Sequence, residues 1–143
     1  MDCSLKERIG CTITFDHHYI NTLQLDNMEE LKEKLRKFAD DRNWNQFHNP
    51  KNLAMALGGE VGELLDIFQW LKEEESNLDG ISDKNLAKTK EELADIFLYL
   101  IRIADKLDID LVEEANNKIE TNHQKYPIES SKDNAIKYNR RNE

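Results

Sequence analysis

Cysteine is nearly absent from this chain of 143 residues: Cys3 and Cys11 are its two thiols, with no Cys-x-x-Cys spacing and no larger framework around them. That excludes a disulfide-stapled scaffold and a cysteine-held structural zinc, and it points to a reducing, cytoplasmic setting. No apolar run approaches the roughly 20 residues that span a bilayer, and the start lacks a signal-peptide apolar core, so no membrane partner is expected. Positive charge is also short. With 20 basic against 29 acidic residues and a net charge of -9, the chain lacks the basic footprint by which proteins hold nucleic-acid polymers. Only two prolines break the sequence, and Pro50 and Pro127 fall where helices are expected to start or stop.

What is present suits one water-soluble helical domain, with 38% hydrophobic and 34% charged residues and a length that accommodates a single core. Residues 1–25 hold neither a helical period nor a bounded hairpin and read as an irregular arm. The adjacent His17 and His18 point in different directions on regular structure, so they read as solvated rather than as metal ligands. Asn27, with Glu30 three residues on, is expected to cap a first helix through Leu31, Leu35 and Phe38 to about Arg42.

The connection Trp44, Asn45, Gln46, Phe47 and His48 is too aromatic for an ordinary linker; it either covers the end of a bundle or offers a stacking platform for a base. Asn49 and Pro50 cap and open a second helix expected to reach about Glu75. Gly58 and Gly59 inside it ask for a reason, such as close backbone approach or room for a ligand, because each costs about 1 kcal/mol relative to alanine. Glu73, Glu74 and Glu75 read as a solvated face. Ser82 is expected to cap a third helix to about Lys106, apolar on more than one face, as in an inner bundle helix or an oligomer interface. Asp110 with Glu113 repeats the cap for a fourth helix through Leu111, Ala115 and Ile119, stopped by Pro127. The expected domain, 26–127, is all-α and four-helix-bundle-like, and a flexible polar tail, 128–143, follows it.

Two acidic pairs carry the chemistry. Glu60 and Glu63 interrupt the second helix's stripe of Leu53, Ala56, Ile67 and Trp70. Glu92 and Asp95, with Tyr99 a turn later, border Leu93, Ile96, Phe97, Leu100 and Ile103 on the third. Residues three apart on a helix are neighbours, so each pair can aim two carboxylates at one point, and antiparallel packing brings four together. Converging anions raise one another's pKa unless a cation compensates. All-oxygen ligation suits Mg²⁺ or Mn²⁺, and magnesium commonly bridges carboxylates to substrate phosphates. The competing arrangement leaves the acids exposed on the helix surfaces, since this spacing is common by chance in an acidic protein. A di-iron bundle needs Glu-x-x-His on two helices, and Glu120 with His123 is the one place that offers it.

These residues resemble the all-α nucleoside triphosphate pyrophosphohydrolases of the MazG-like superfamily, most closely the dCTP pyrophosphatases. The resemblance runs from about Leu31 to Pro127, through Phe38 to Arg42, Trp44 to His48, Gly59 to Leu64, Phe68 to Trp70, Glu91 to Asp95 and Lys125 to Pro127. It implies that Glu60, Glu63, Glu92 and Asp95 ligate Mg²⁺ and that Glu63 is the catalytic group orienting or deprotonating the attacking water. The implied reaction cleaves dCTP, or a base-modified analogue, between the α and β phosphates to dCMP and pyrophosphate. It implies further that Trp44, Asn45, Gln46, Phe47, His48, Trp70 and Tyr99 enclose base and sugar, and that Lys118, Asn122 and Lys125 meet phosphates. Assembly as a homotetramer, or a dimer, with sites formed across subunits is implied too. Relatives can place a histidine near the nucleotide on the first helix, where this chain has Leu35, which bears on substrate ranking. A broad-specificity house-cleaning nucleoside triphosphate pyrophosphatase is the alternative enzyme, and a non-catalytic helical oligomeric scaffold is the alternative of another class.

Overall fold

Every regular element among the described residues is helical, in a computed structural model that describes the backbone of residues 17–140 and the side chains of 27–139. Helix α1 spans His17–Asp40, α2 Pro50–Phe68, α3 Asp83–Leu107, α4 Leu111–Lys125 and the short α5 Ile128–Ser131. Three N-termini are capped as their side chains dictate. Asn49 accepts from the Asn52 N–H at 3.0 Å with Pro50 in the first helical position, and Ser82 accepts from the Asn85 N–H at 3.2 Å. Asp110 Oδ1 accepts from the Val112 and Glu113 N–H groups at 2.9 and 3.0 Å. Each cap satisfies donors that the first turn leaves without an intrahelical partner.

Three element boundaries differ from expectation, and one glycine pair loses one of its two expected reasons. First, α1 begins at His17 rather than after Asn27, so residues 17–25 of the expected irregular arm are helical; the rest of that arm, with Cys3 and Cys11, lies outside the described residues. Second, α2 stops at Phe68, well short of Glu75. The Leu71 N–H turns back to the Phe68 carbonyl at 3.0 Å, and the Lys72 N–H is taken by Glu75 Oε2 at 2.9 Å, which commits the backbone to turns. Gly80 is the residue this loop needs, because a Cβ there would sit 1.9 Å from the Glu74 carbonyl oxygen. Third, a Cβ at Gly58 or Gly59 meets nothing within 4 Å, so close approach inside this chain does not account for that pair. Fourth, the tail expected to be flexible forms α5, and Tyr138 packs edge-on against Tyr126 with ring centroids 5.8 Å apart.

Helices α2 and α3 form an antiparallel hairpin: Leu53, early in α2, shares a cavity with Arg102, late in α3, while Glu60 and Glu63 meet Glu92 nearer the loop. Helix α1 packs on the far half of α3. The fully covered apolar core is thin, consisting of Ala39, Leu53, Ile101 and Ala104 among the described residues. Helix α4 contributes no buried residue and leaves Val112 and Ile119 open. Among the described residues the expected bundle is therefore not closed. Val61 and Leu65 on α2, and Leu93, Phe97 and Leu100 on α3, form apolar stripes at three- and four-residue spacing that face outward.

Candidate active site

Because α2 and α3 run antiparallel, the two acidic pairs fall at the same level of the hairpin. Carboxylate oxygens of Glu60, Glu63 and Glu92 lie within 4.8 Å of one another, with Glu60 and Glu92 half-buried and Glu63 exposed. Asp95, one turn further along α3, is half-buried and lines the neighbouring cavity instead, although its charge reaches the cluster. Partial burial first, then the charges of Asp95 and Glu63, push the Glu60 carboxyl above the ordinary glutamate range. Glu92 is pushed the same way by burial and then by Glu63 and Glu60, with Glu91 and Asp95 adding to it. Like charges held this close, with no basic side chain among them, fit a divalent cation bound through oxygen.

The sign of the pH dependence follows. A folded carboxyl raised above its unfolded value holds a proton that the unfolded chain releases, so metal-free stability falls as pH rises through and above the ordinary glutamate range. A divalent ion bound there would reverse that loss, and at a hundred times its dissociation constant would add about 2.7 kcal/mol. Protein stripped with EDTA is thus expected to melt lower at pH 8 than at pH 5, and millimolar Mg²⁺ or Mn²⁺ is expected to raise the pH 8 melting temperature by several degrees. A melting temperature indifferent to chelator and cation would remove the metal assignment.

Beside the acids lies a cavity of about 260 Å³ between α1, the Trp44 turn and the α2–α3 hairpin. Its apolar walls are Leu35, Phe38, Trp44, Leu53, Leu98 and Tyr99, and its polar lining comes from His48, Asp95 and Arg102. The turn that supplies Trp44 and His48 is set locally. Asn43, three residues beyond α1, takes the left-handed conformation with φ 55° and opens the turn, the Phe47 N–H returns to the Trp44 carbonyl at 2.9 Å, and Asn52 Nδ2 donates to the Phe47 carbonyl at 3.0 Å. Phe38 and His48 each meet Trp44 edge-on, at 5.7 and 6.1 Å between ring centroids.

The structure gathers some of the expected site residues and separates others. Trp44, His48, Tyr99 and Asp95 share the cavity. Asn45 sits behind it, accepting from Arg102 Nη2 at 2.6 Å and Lys106 Nζ at 3.1 Å while donating to Asp40. Gln46 donates to the Asn43 carbonyl, and Phe47 faces outward. Trp70, 84% exposed, stands on the turn after α2 rather than in the cavity. Lys118 and Asn122 are exposed on α4, and Lys125 lies 5.3 Å from the centre of the Tyr138 ring.

Arg102 and Asp105 escaped the sequence reading altogether. Arg102, only 5% exposed, donates from Nη1 to Asp105 Oδ2 at 2.6 Å, and Arg36 of α1 donates to Asp105 Oδ1 from Nε and Nη2 at 2.9 and 2.5 Å. The available signal was an arginine and an aspartate three apart inside the apolar run of Ile101, Ile103 and Ala104.

The MazG-like family model matches residues 56–140. The chain is 40% identical over 111 residues to dCTP pyrophosphatase 1 of Mus musculus and 37% identical over the same length to that of Homo sapiens, in each case across 78% of this chain. It spans 65% of the length of those curated relatives. A crystal structure of a pyrophosphatase from Archaeoglobus fulgidus superposes with a TM-score of 0.65 at 40% identity, covering 71% of this chain and 93% of that one. Paired acids on facing helices, an all-helical fold and these matches together establish that the chain belongs to the MazG-like family.

Proposed function

We propose that this protein is a Mg²⁺-dependent nucleoside triphosphate pyrophosphohydrolase that converts dCTP, or base-modified dCTP, to dCMP and pyrophosphate, clearing it from the nucleotide pool. The observation that carries this reading is the placement of three carboxylates within 4.8 Å of one another next to an aromatic cavity, with Asp95 belonging to both. The names of the relatives at 40% identity support the substrate.

Glu60, Glu63, Glu92 and Asp95 would hold the metal, which supplies neutralisation of charge on the phosphates and acidification of water. Glu63, the exposed member of the cluster, would orient the attacking water and take its proton. Phe38, Trp44 and Tyr99 offer aromatic surface to the base and exclude water around it. No helix among the described residues is long and apolar enough to cross a membrane, and we read the protein as acting in the cytoplasm.

The outward apolar stripes of α2 and α3 support assembly with further copies, as a homotetramer or a dimer. Covering those stripes would also give the exposed Trp70, Lys118 and Asn122 a partner chain's site to complete. Leu35, an apolar group lining the cavity, favours the broader substrate range as a second reading. Incubating the pure protein with each deoxynucleoside triphosphate and Mg²⁺ decides between them. Monophosphate and pyrophosphate from dCTP are expected, orthophosphate and diphosphate would contradict attack at the α-phosphorus, comparable turnover of all four would favour the broad enzyme, and no turnover would favour a scaffold.

A further inference from the structure

Arg102 is buried with its side chain 6% exposed, paired with the 8% exposed side chain of Asp105. Two of its three nitrogens are committed, Nη1 to Asp105 Oδ2 and Nη2 to Asn45 Oδ1, both at 2.6 Å. Its Nε is shielded from solvent and has no hydrogen-bond partner. His48 Nδ1 is in the same condition. Both residues line the cavity of about 260 Å³, whose other walls are mostly apolar. Buried donors and acceptors are nearly always paired, so two unmet polar atoms on residues that line one cavity ask for partners that the described residues do not supply.

We propose that Arg102 and His48 read the hydrogen-bonding edge of cytosine, Arg102 Nε donating to a ring acceptor and His48 Nδ1 accepting from the exocyclic amino group, so that they select a 4-amino over a 4-oxo pyrimidine. The inference rests on the nucleotide reading above. Its geometry is held from behind: Asp105, itself clamped by Arg36, and Asn45 fix the guanidinium plane. Burial first, then the positive charges of Arg102 and Lys106, hold His48 below the ordinary histidine range. With its proton on Nε2, the neutral ring would present Nδ1 as an acceptor. A 4-oxo pyrimidine presents a carbonyl oxygen where cytosine presents the amino group, and N3–H where cytosine has a lone pair; oxygen would face a lone pair and N–H a cation. The cavity lies below the roughly 300–1,000 Å³ of drug-sized pockets, a size suited to a single-ring base.

dCTP and dUTP are nearly isosteric and differ at this edge, which makes them the informative pair. Steady-state kcat and KM are measured for both with the wild-type protein, Arg102→Met and Arg102→Lys, alongside their melting temperatures. The methionine variant is expected to lose about ten- to a hundredfold in kcat/KM for dCTP, chiefly through KM, the scale of one hydrogen bond to a charged group. Its dUTP value is expected to stay within about threefold, collapsing the preference. Arg102→Lys keeps a cation for Asp105 but puts no N–H at the Nε position, so it is expected to show the same collapse in a protein that melts as wild type does, even if the methionine variant fails to fold. An equal fall for both substrates, or an unchanged dCTP to dUTP ratio in the folded lysine variant, would overturn the inference while leaving the pyrophosphatase reading standing. A wild-type protein that turns over neither nucleotide would overturn both.

Discussion

Glu63→Gln is expected to lower dCTP turnover by at least about a thousandfold while leaving assembly intact, as read by product formation and by size-exclusion chromatography with light scattering. The amide keeps the shape of the side chain but neither carries the charge that holds a cation nor accepts a proton from water, so two contributions fall together. Glu63 is the exposed corner of the three-carboxylate cluster, and its charge is among those that raise Glu60 and Glu92. Removing it relieves that repulsion. The EDTA-treated variant should therefore melt no lower than the wild type, and its melting temperature should respond less to added Mg²⁺. Activity lost without stability lost is the signature of a functional group held at a cost to the fold. Near-normal turnover in this variant would sink the assignment of the acidic cluster.

Asp105→Asn is expected to cost about 3 kcal/mol of unfolding free energy at pH 7, as measured by urea denaturation, because it strands a buried guanidinium. Asp105 takes three hydrogen bonds from two arginines, and its side chain is 8% exposed. An asparagine oxygen can serve one arginine while its amide protons face the other. Burial pushes the Asp105 carboxyl up, but Arg36, by hydrogen bonding and by charge, and Arg102 outweigh it and hold the group below the ordinary aspartate range. A depressed folded value contributes stability that is fully present above the unfolded pKa and is lost as pH falls through the folded one. The wild type should lose its advantage over Asp105→Asn below about pH 4, the ordinary aspartate value. An equal gap at pH 7 and at pH 3 would mean that the side chain matters for packing rather than charge.

Both variants probe what different ranges of interaction decide. The caps at Asn49, Ser82 and Asp110 were legible because a cap is a rule about residues two or three apart, and the same locality made the pairs Glu60 with Glu63 and Glu92 with Asp95 visible. The end of α2 was not, since the residues after Phe68 have helix-compatible composition and stop only because turn hydrogen bonds and the Glu75 carboxylate capture the backbone donors. The start of α1 was missed for a related reason: the run after His17 lacks a clear apolar period, and a continuous helix forms there regardless.

The sequence by itself determined the helical class, the helix starts that carry caps, and the paired acids that could hold a cation, because periodicity, capping and like-charge spacing act within a few residues. Tertiary structure decided that Asp95 joins the acids to an aromatic cavity, and that Arg102 meets Asn45 across 57 positions while Arg36 meets Asp105 across 69. Such contacts depend on how α1 crosses the α2–α3 hairpin, and no spacing rule within one helix encodes that crossing. It also decided that the described residues leave apolar stripes exposed, since only packing shows which faces of α2 and α3 find a neighbour and which do not.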